Sequence, residues 1–292
     1  MALLGGVIFF FQPKNQQLLS PGIGGEILAT NLWQPQNGPV DSNDAPVITA
    51  RAAYFVDTGS GEVLYQKNPH QRLPIASLTK IMTAIVTLEN KDLNGEVEIS
   101  QKAASMEPDH MELKAGERLT VEELMYGIFL VSANDAAEAL AETSAKNRGD
   151  FIGQMNNTAQ RIGMKDTLFI NPTGLEEDQG EQYSTAYDVA IMTRYATRRF
   201  PRLVDFSKTP RVTLPQTSTH QDYDLYSGIN LLTTYPGVVG LKTGYTPEAG
   251  LTLATLARKE GHEVLGILLG SENRREEARE LLDYSFKKLN IL

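Results

Sequence analysis

From residue 50 onward apolar and polar positions change period in a readable order. A-R-A-A-Y-F-V-D (50–57) and E-V-L-Y (62–65), divided by the Gly-rich T-G-S-G, predict the two strands of a hairpin. The period then lengthens: Ile81, Met82, Ile85, Val86 and Leu88 recur at helical spacing and predict a helix from about Ser77 to about Asn90. Residues 99–110 read as a short helical or irregular segment broken at Glu107-Pro108. Thr120 with Glu123 forms a capping box ahead of V-E-E-L-M-Y-G-I-F-L, a helix that stops at Ser132. Residues 132–135 connect it to a second helix through A-A-E-A-L-A-E, with Asn134 or Asp135 as the expected N-cap. Residues 151–162 form another helix closed by Gly163. N-P-T-G-L (171–175) is a turn-rich loop, and Ser184 or Thr185 caps a helix through Tyr195.

After Pro201 the pattern returns to strands. V-V-G-L-K (238–242), L-T-L-A-T-L-A (251–257) and E-V-L-G-I-L-L (263–269) are separated by Gly-containing turns, the last two forming a hairpin around Glu260-Gly261-His262. Residues 272–292 are an amphipathic helix with Ala278, Leu281, Leu282, Ser285 and Leu289 on one face. Strands at both ends with helices between them predict an α+β fold. A largely antiparallel sheet from both chain ends is covered by the first and last helices, an all-helical lobe (about 91–200) is inserted, and a cleft lies between sheet and lobe.

Composition narrows the chemistry. With 292 residues, 41% hydrophobic and 22% charged, the chain buries a sizeable core, as one large domain or two closely packed ones. A formal net charge of −9 argues against a general nucleic-acid binder. There is no cysteine, which excludes disulfides and thiolate chemistry, and the four histidines form no zinc-type pair, so no metal or other cofactor is expected. Residues 2–11 are apolar or small throughout, about half of the roughly 20 that span a bilayer. They predict an apolar stub, the remnant of an export signal or anchor, and residues 12–46, rich in Pro, Gly, Asn and Gln, a flexible tether. Any membrane association is expected through this N-terminus.

The candidate chemistry begins at P-I-A-S-L-T-K-I-M-T-A (74–84). Ser77 and Lys80, three apart on one helical face, suit a nucleophile and its base if Lys80 is desolvated; the plainer reading is that Ser77 caps the helix. Ser285 and Lys288 repeat the spacing in the last helix, where packing and solvent account for them. Two further elements carry the pair: S-A-N (132–134) in an inter-helix connection and K-T-G (242–244) on a strand, while Ser271-Glu272-Asn273 repeats S-x-N out of order. S-x-x-K, S-x-N and K-T-G in this order are an active-serine set.

With V-S-A-N-D-A-A (131–137), N-P-T-G-L, S-T-A-Y-D-V-A (184–190) and Y-P-G-V-V-G-L-K-T-G-Y-T (235–246), the chain resembles the D-alanyl-D-alanine carboxypeptidase family of low-molecular-mass penicillin-binding proteins from about Ala50 to its end. The resemblance implies a β-lactamase/transpeptidase-like fold. It also implies removal of the terminal D-Ala from peptidoglycan stem peptides outside the cytoplasmic membrane, in the periplasm or cell envelope, with β-lactams as covalent inhibitors. In that chemistry Ser77 forms the acyl-ester, Lys80 accepts its proton, Ser132 relays a proton to the departing amine, and Asn134 holds Lys80 and the substrate amide. Lys242 and Thr243 receive the C-terminal carboxylate, and Gly244 lets the substrate lie close. The resemblance places the oxyanion between the N–H groups of Ser77 and Tyr245. Which of Lys80 and Ser132 is the base in each step stays open, as does carboxypeptidase against endopeptidase. A class A β-lactamase would add a glutamate in E-x-x-L-N, and the chain has none. Ser227-Gly228-Ile229-Asn230-Leu231-Leu232 keeps the leucines of a family N-x-N-x-L-L but not that Asn-rich pattern.

Overall fold

The structure, a computed structural model, describes residues 33–35, 44–177 and 180–291; the stub and most of the tether lie outside them. Strands β1 (Ala52–Asp57) and β2 (Val63–Lys67) form the N-terminal hairpin, and a 3₁₀ turn, Ala76–Leu78, leads into helix α1 (Thr79–Asn90). Next come β3 (Glu96–Glu98), α2 (Gln101–Ala104), β4 (Arg118–Thr120), α3 (Val121–Leu130), α4 (Asn134–Ser144), α5 (Arg148–Ile162), α6 (Ala186–Arg199) and α7 (Arg202–Ser207). The chain closes with β5 (Arg211–Leu214), β6 (Tyr223–Tyr226), α8 (Leu231–Thr234), β7 (Val238–Thr246), β8 (Gly250–Lys259), β9 (His262–Ser271) and α9 (Arg274–Lys288). Among the described residues no helix is long and apolar enough to cross a membrane.

Both chain ends build one sheet in the order β2-β1-β9-β8-β7, every pair antiparallel. Period-two alternation divides its faces. Ala52, Tyr54 and Val56 enter the core shared with the helices, while Ala53 and Phe55 enter a second core with Ala278, Leu281, Leu282 and Phe286 of α9. The sequence reading put the first and last helices on the sheet. In the structure α9 covers one face and α6 meets the other, with α1 one layer behind among α4, α5 and α6. That depth is why α1 is buried from Thr79 to Thr87.

Local signals form as expected where side chain and backbone agree. The Thr120–Glu123 capping box is complete, Gly163 ends α5 at φ 96°, and Thr185 caps α6 through the Asp188 N–H. Two short ribbons, β3–β4 within the inserted region and β5–β6 after it, were not announced by the sequence pattern, because three or four residues show too little alternation to register. One departure bears on function. Neither Asn134 nor Asp135 is the N-cap of α4; Ala133 takes that position without a side-chain bond. Asn134 is turned toward Lys80, and the Asp135 carboxylate accepts the N–H groups of Met111, Leu113 and Ala136.

Helix α9 is tied to the start of the sheet by the buried Glu277 carboxylate, which accepts Thr49 N–H, Thr49 Oγ1, Ala50 N–H and Ser271 Oγ. Replacing it removes the acceptor of four donors at once, two of them, Ala50 N–H and Ser271 Oγ, buried. Glu277→Ala should therefore lower unfolding stability by roughly 2–3 kcal/mol in urea titrations, hydrogen bonds to a charged acceptor being the strong class; a change within about 0.5 kcal/mol, the range of ordinary surface substitutions, would refute this anchoring role.

Candidate active site

Ser77 sits in the 3₁₀ turn ahead of α1, and neither that turn nor α1 has a side-chain cap, so its hydroxyl is not spent on helix capping. One helical turn on, Lys80 Nζ lies 3.0 Å from Ser77 Oγ, 2.7 Å from Asn134 Oδ1 and 2.7 Å from the Thr173 carbonyl oxygen. Lys80 is fully buried. Its pKa is held well below the ordinary lysine value, by desolvation first and then by the positive charge of Lys242, against the opposing pull of Asp109 and Asp135.

Thr173 is a participant that sequence reading missed, since it acts through its backbone. The Asn171 side chain accepts the N–H groups of Thr173 and Gly174 and so closes the N-P-T-G turn, while Thr83 Oγ1 donates to the Pro172 carbonyl and docks that turn on α1. Gly174 packs against the Ser77 turn: a Cβ there would stand 2.0 Å from the Ala76 carbonyl oxygen. Asn134 completes the enclosure. Its backbone N–H donates to the Asp109 carbonyl (2.7 Å) and one amide hydrogen goes to the Pro108 carbonyl, leaving a single amide N–H for a substrate.

The second cluster centres on the edge strand β7. Lys242 Nζ donates to Ser132 Oγ (2.9 Å) and to the Thr243 carbonyl (2.8 Å), and only 1% of the residue is exposed. Burial, with the neighbouring Arg274 guanidinium second, lowers its pKa to about 7. Ser132, at φ 61°, holds a left-handed conformation in the α3–α4 connection, and its hydrogen bond is with Lys242. Arg274, the first residue of α9, was not singled out from sequence because nothing links it to the motifs along the chain. Its Nη1 donates to the Gly244 carbonyl at 2.7 Å.

Gly244 was assigned to substrate clearance; the structure gives it an additional reason internal to the protein. A Cβ would stand 2.6 Å from Thr252 Oγ1 and 2.8 Å from the Ser77 nitrogen, so the strand touches the Ser77 backbone only because the side chain is missing. Thr243 is half-buried and Tyr245 is 61% exposed beside it. Ser77, Lys80, Ser132, Asn134, Lys242 and Gly244 are thus gathered where the sheet edge meets the helices. The repeats elsewhere are occupied: Ser285 Oγ donates to the Leu281 carbonyl, Ser271 Oγ to Glu277, and Asn273 caps α9.

Residues 40–273 match the family model described as D-alanyl-D-alanine carboxypeptidase. The D-alanyl-D-alanine carboxypeptidase DacF of Bacillus subtilis is 36% identical over 247 residues, 82% of this chain and 62% of its own length. A mutant of a Streptomyces DD-transpeptidase superposes with a TM-score of 0.78 at 31% identity, covering 83% of this chain and 99% of its own. A penicillin-binding protein of Listeria monocytogenes in its ampicillin-bound form does so at 0.72 and 29% identity, covering 82% and 98%. The chain spans less than two thirds of the Bacillus relative and nearly all of the Streptomyces structure. An α+β fold with this sheet order, three motifs meeting at its edge and a family match over most of its length together make the chain a member of the D-alanyl-D-alanine carboxypeptidase family.

Proposed function

We propose that the protein is a serine-type D-alanyl-D-alanine carboxypeptidase acting on peptidoglycan stem peptides outside the cytoplasmic membrane, through an acyl-enzyme on Ser77 that β-lactams also form. The observation that carries this reading is the environment of Lys80 Nζ. Two of its three partners, Asn134 Oδ1 and the Thr173 carbonyl oxygen, can only accept. A neutral amine has two N–H groups, and these two acceptors take both. Its lone pair then faces Ser77 Oγ, the one partner that owns a proton. Burial favours that neutral form.

Ser77 Oγ bonds to the carbonyl carbon of the penultimate D-Ala as its proton passes to Lys80. The developing oxyanion is met by the N–H groups of Ser77 and Tyr245, each such donor commonly contributing about 3 kcal/mol. The C–N bond to the terminal D-Ala breaks and the departing nitrogen takes a proton by way of Ser132. Water then attacks the ester, restoring the Ser77 hydroxyl and releasing the shortened stem. Lys242, Thr243 and the charge of Arg274 supply the cationic end that receives the substrate's free carboxylate.

Two measurements test this. After mixing with benzylpenicillin, intact mass should show one persistent adduct, and the same preparation should release D-alanine from Nα,Nε-diacetyl-L-Lys-D-Ala-D-Ala; Ser77→Ala should lose both. An adduct surviving in that variant, or rapid turnover of the penicillin, would overturn the assignment.

The pH dependence follows from the lysines. A lowered pKa means that Lys242 is charged below about 7 in the free protein and neutral above it, so kcat/KM should fall as pH rises through that value and fall again toward acid as Lys80 protonates. Arg274→Gln removes the neighbouring positive charge, which moves the Lys242 pKa upward. The alkaline limb should shift to higher pH with it; a limb that stays or moves down would contradict the role of Lys242.

A further inference from the structure

We propose that Glu138 is a positioning residue for the Lys80 enclosure, the hub of a charge network, Lys102–Glu138–Arg148–Glu177, that clamps together the two loops closing around that lysine. The role rests on the carboxypeptidase reading above, in which Lys80 takes the Ser77 proton.

A carboxylate is seldom left without any solvent unless cations serve it. Glu138 is 0% exposed in the middle of α4, and cations from two other elements reach it: Lys102 of α2 and Arg148 of α5, whose Nε lies 3.1 Å from Glu138 Oε1. Arg148 then extends outward, its Nη2 donating to Glu177 Oε1 in the loop that follows the N-P-T-G turn. Glu142, a turn further along α4, stands 4.0 Å from Lys102.

Placement decides what the network does. Glu138 stands one helical turn beyond Asn134 on the same face of α4. Both flanks are continuous with backbone that encloses Lys80. On one flank the Lys102 carbonyl accepts the Ser105 N–H and Oγ, and the chain runs on from there to the Pro108 and Asp109 carbonyls that hold Asn134. On the other, Glu177 lies two residues beyond Leu175, whose carbonyl accepts from the Asn171 side chain, and the turn so closed presents the Thr173 carbonyl to Lys80. Asn134 and Thr173 supply the two oxygens that take the N–H groups of the neutral amine. A network fixed at its buried centre sets the spacing of both.

A buried ion pair contributes little net stability compared with a well-packed apolar residue, and its effect falls on geometry. Glu138→Met should therefore fold: half-exposed Lys102 turns to solvent, and Arg148 keeps Glu177. What is lost is the tie between the two flanks. Water then reaches Lys80, and relief of its desolvation raises its pKa. Direct loss of a nearby negative charge acts with the opposite sign, since it disfavours the ammonium form and lowers the pKa. The charges that bear on Lys80, those of Lys242, Asp109 and Asp135, are all kept in the variant.

The test is the pH profile of acylation and turnover. The second-order rate of adduct formation with benzylpenicillin, read by intact mass, and kcat/KM for D-alanine release from Nα,Nε-diacetyl-L-Lys-D-Ala-D-Ala are followed across pH in the whole protein, in Glu138→Met and in Glu177→Gln, within the range where circular dichroism shows each of them folded. In Glu138→Met the midpoint of the acid limb should move to higher pH by about one unit, against the roughly 3–5 units that complete burial can impose. Glu177→Gln, which cuts the outer link at a partly exposed position, should move it the same way by less. An unfolded fraction lowers the height of a profile and leaves its midpoint in place, so a merely structural role gives no shift. A midpoint that stays, or that falls as direct charge removal requires, overturns the positioning role and leaves the carboxypeptidase reading standing. Absence of both adduct and D-alanine release from the unsubstituted protein overturns that reading, and the positioning role falls with it.

Discussion

A lysine closed off from water among neutral oxygens is the constraint on which the rest of this structure depends. Lys80 Nζ meets Ser77 Oγ, Asn134 Oδ1 and the Thr173 carbonyl, and no part of the residue is exposed. Removing an ammonium from water without a paired carboxylate is costly, and a protein meets that cost by letting the group lose its proton. Keeping the enclosure intact needs three separate pieces of chain: α1 for the pair itself, the first residue of α4 for the amide, and the N-P-T-G turn for the carbonyl. Each is fixed by contacts that have no other evident purpose. Thr83 docks the turn, Asn171 shapes it, and Asp135 pins residues 111–113 so that the neighbouring Pro108 and Asp109 carbonyls can hold Asn134.

The second lysine is tuned differently. Lys242 is as deeply buried, yet its pKa of about 7 is lowered by burial and then by Arg274, with Asp109 opposing. Two buried amines of lowered pKa share the site, one on the Ser77 helix and one at the sheet edge. In the proposed reaction this division gives one side of the site the proton chemistry and the other the anion. Asp109, whose charge acts on both, belongs to neither element.

Much of this was legible in the residues. Helices whose caps and periodicity agree, such as α3 with Thr120 and Glu123 or α6 with Thr185, were readable because the same side chains that signal the element also make its bonds. The three motifs were legible as words and stood at a helix start, a connection and a strand. What escaped has physical reasons. Asn134 and Asp135 look like caps by residue type, but tertiary partners outbid the local ones. Thr173 contributes a backbone oxygen, which residue identity does not reveal. Arg274 reaches Gly244 only because α9 folds back across the sheet, a relation between positions 30 residues apart that no spacing rule expresses. The exchange of α1 for α6 against the sheet was hidden for a related reason, since both helices are apolar enough to serve and only the packing order separates them.

The absent side chain at Gly244 has a consequence for how this protein can change over generations. Strand and Ser77 turn are in direct contact there, with Thr252 Oγ1 of the neighbouring strand β8 and the Ser77 nitrogen both bordering the missing Cβ. In the proposed reaction, a substitution that fills the position to keep an acylating compound out also wedges β7 away from Ser77, and with it the main chain that the peptide substrate would use. Escape from an inhibitor by narrowing the site is therefore closed at this point. Narrowing without separating the two backbones would have to come from side chains that project away from this contact, as the exposed Tyr245 does.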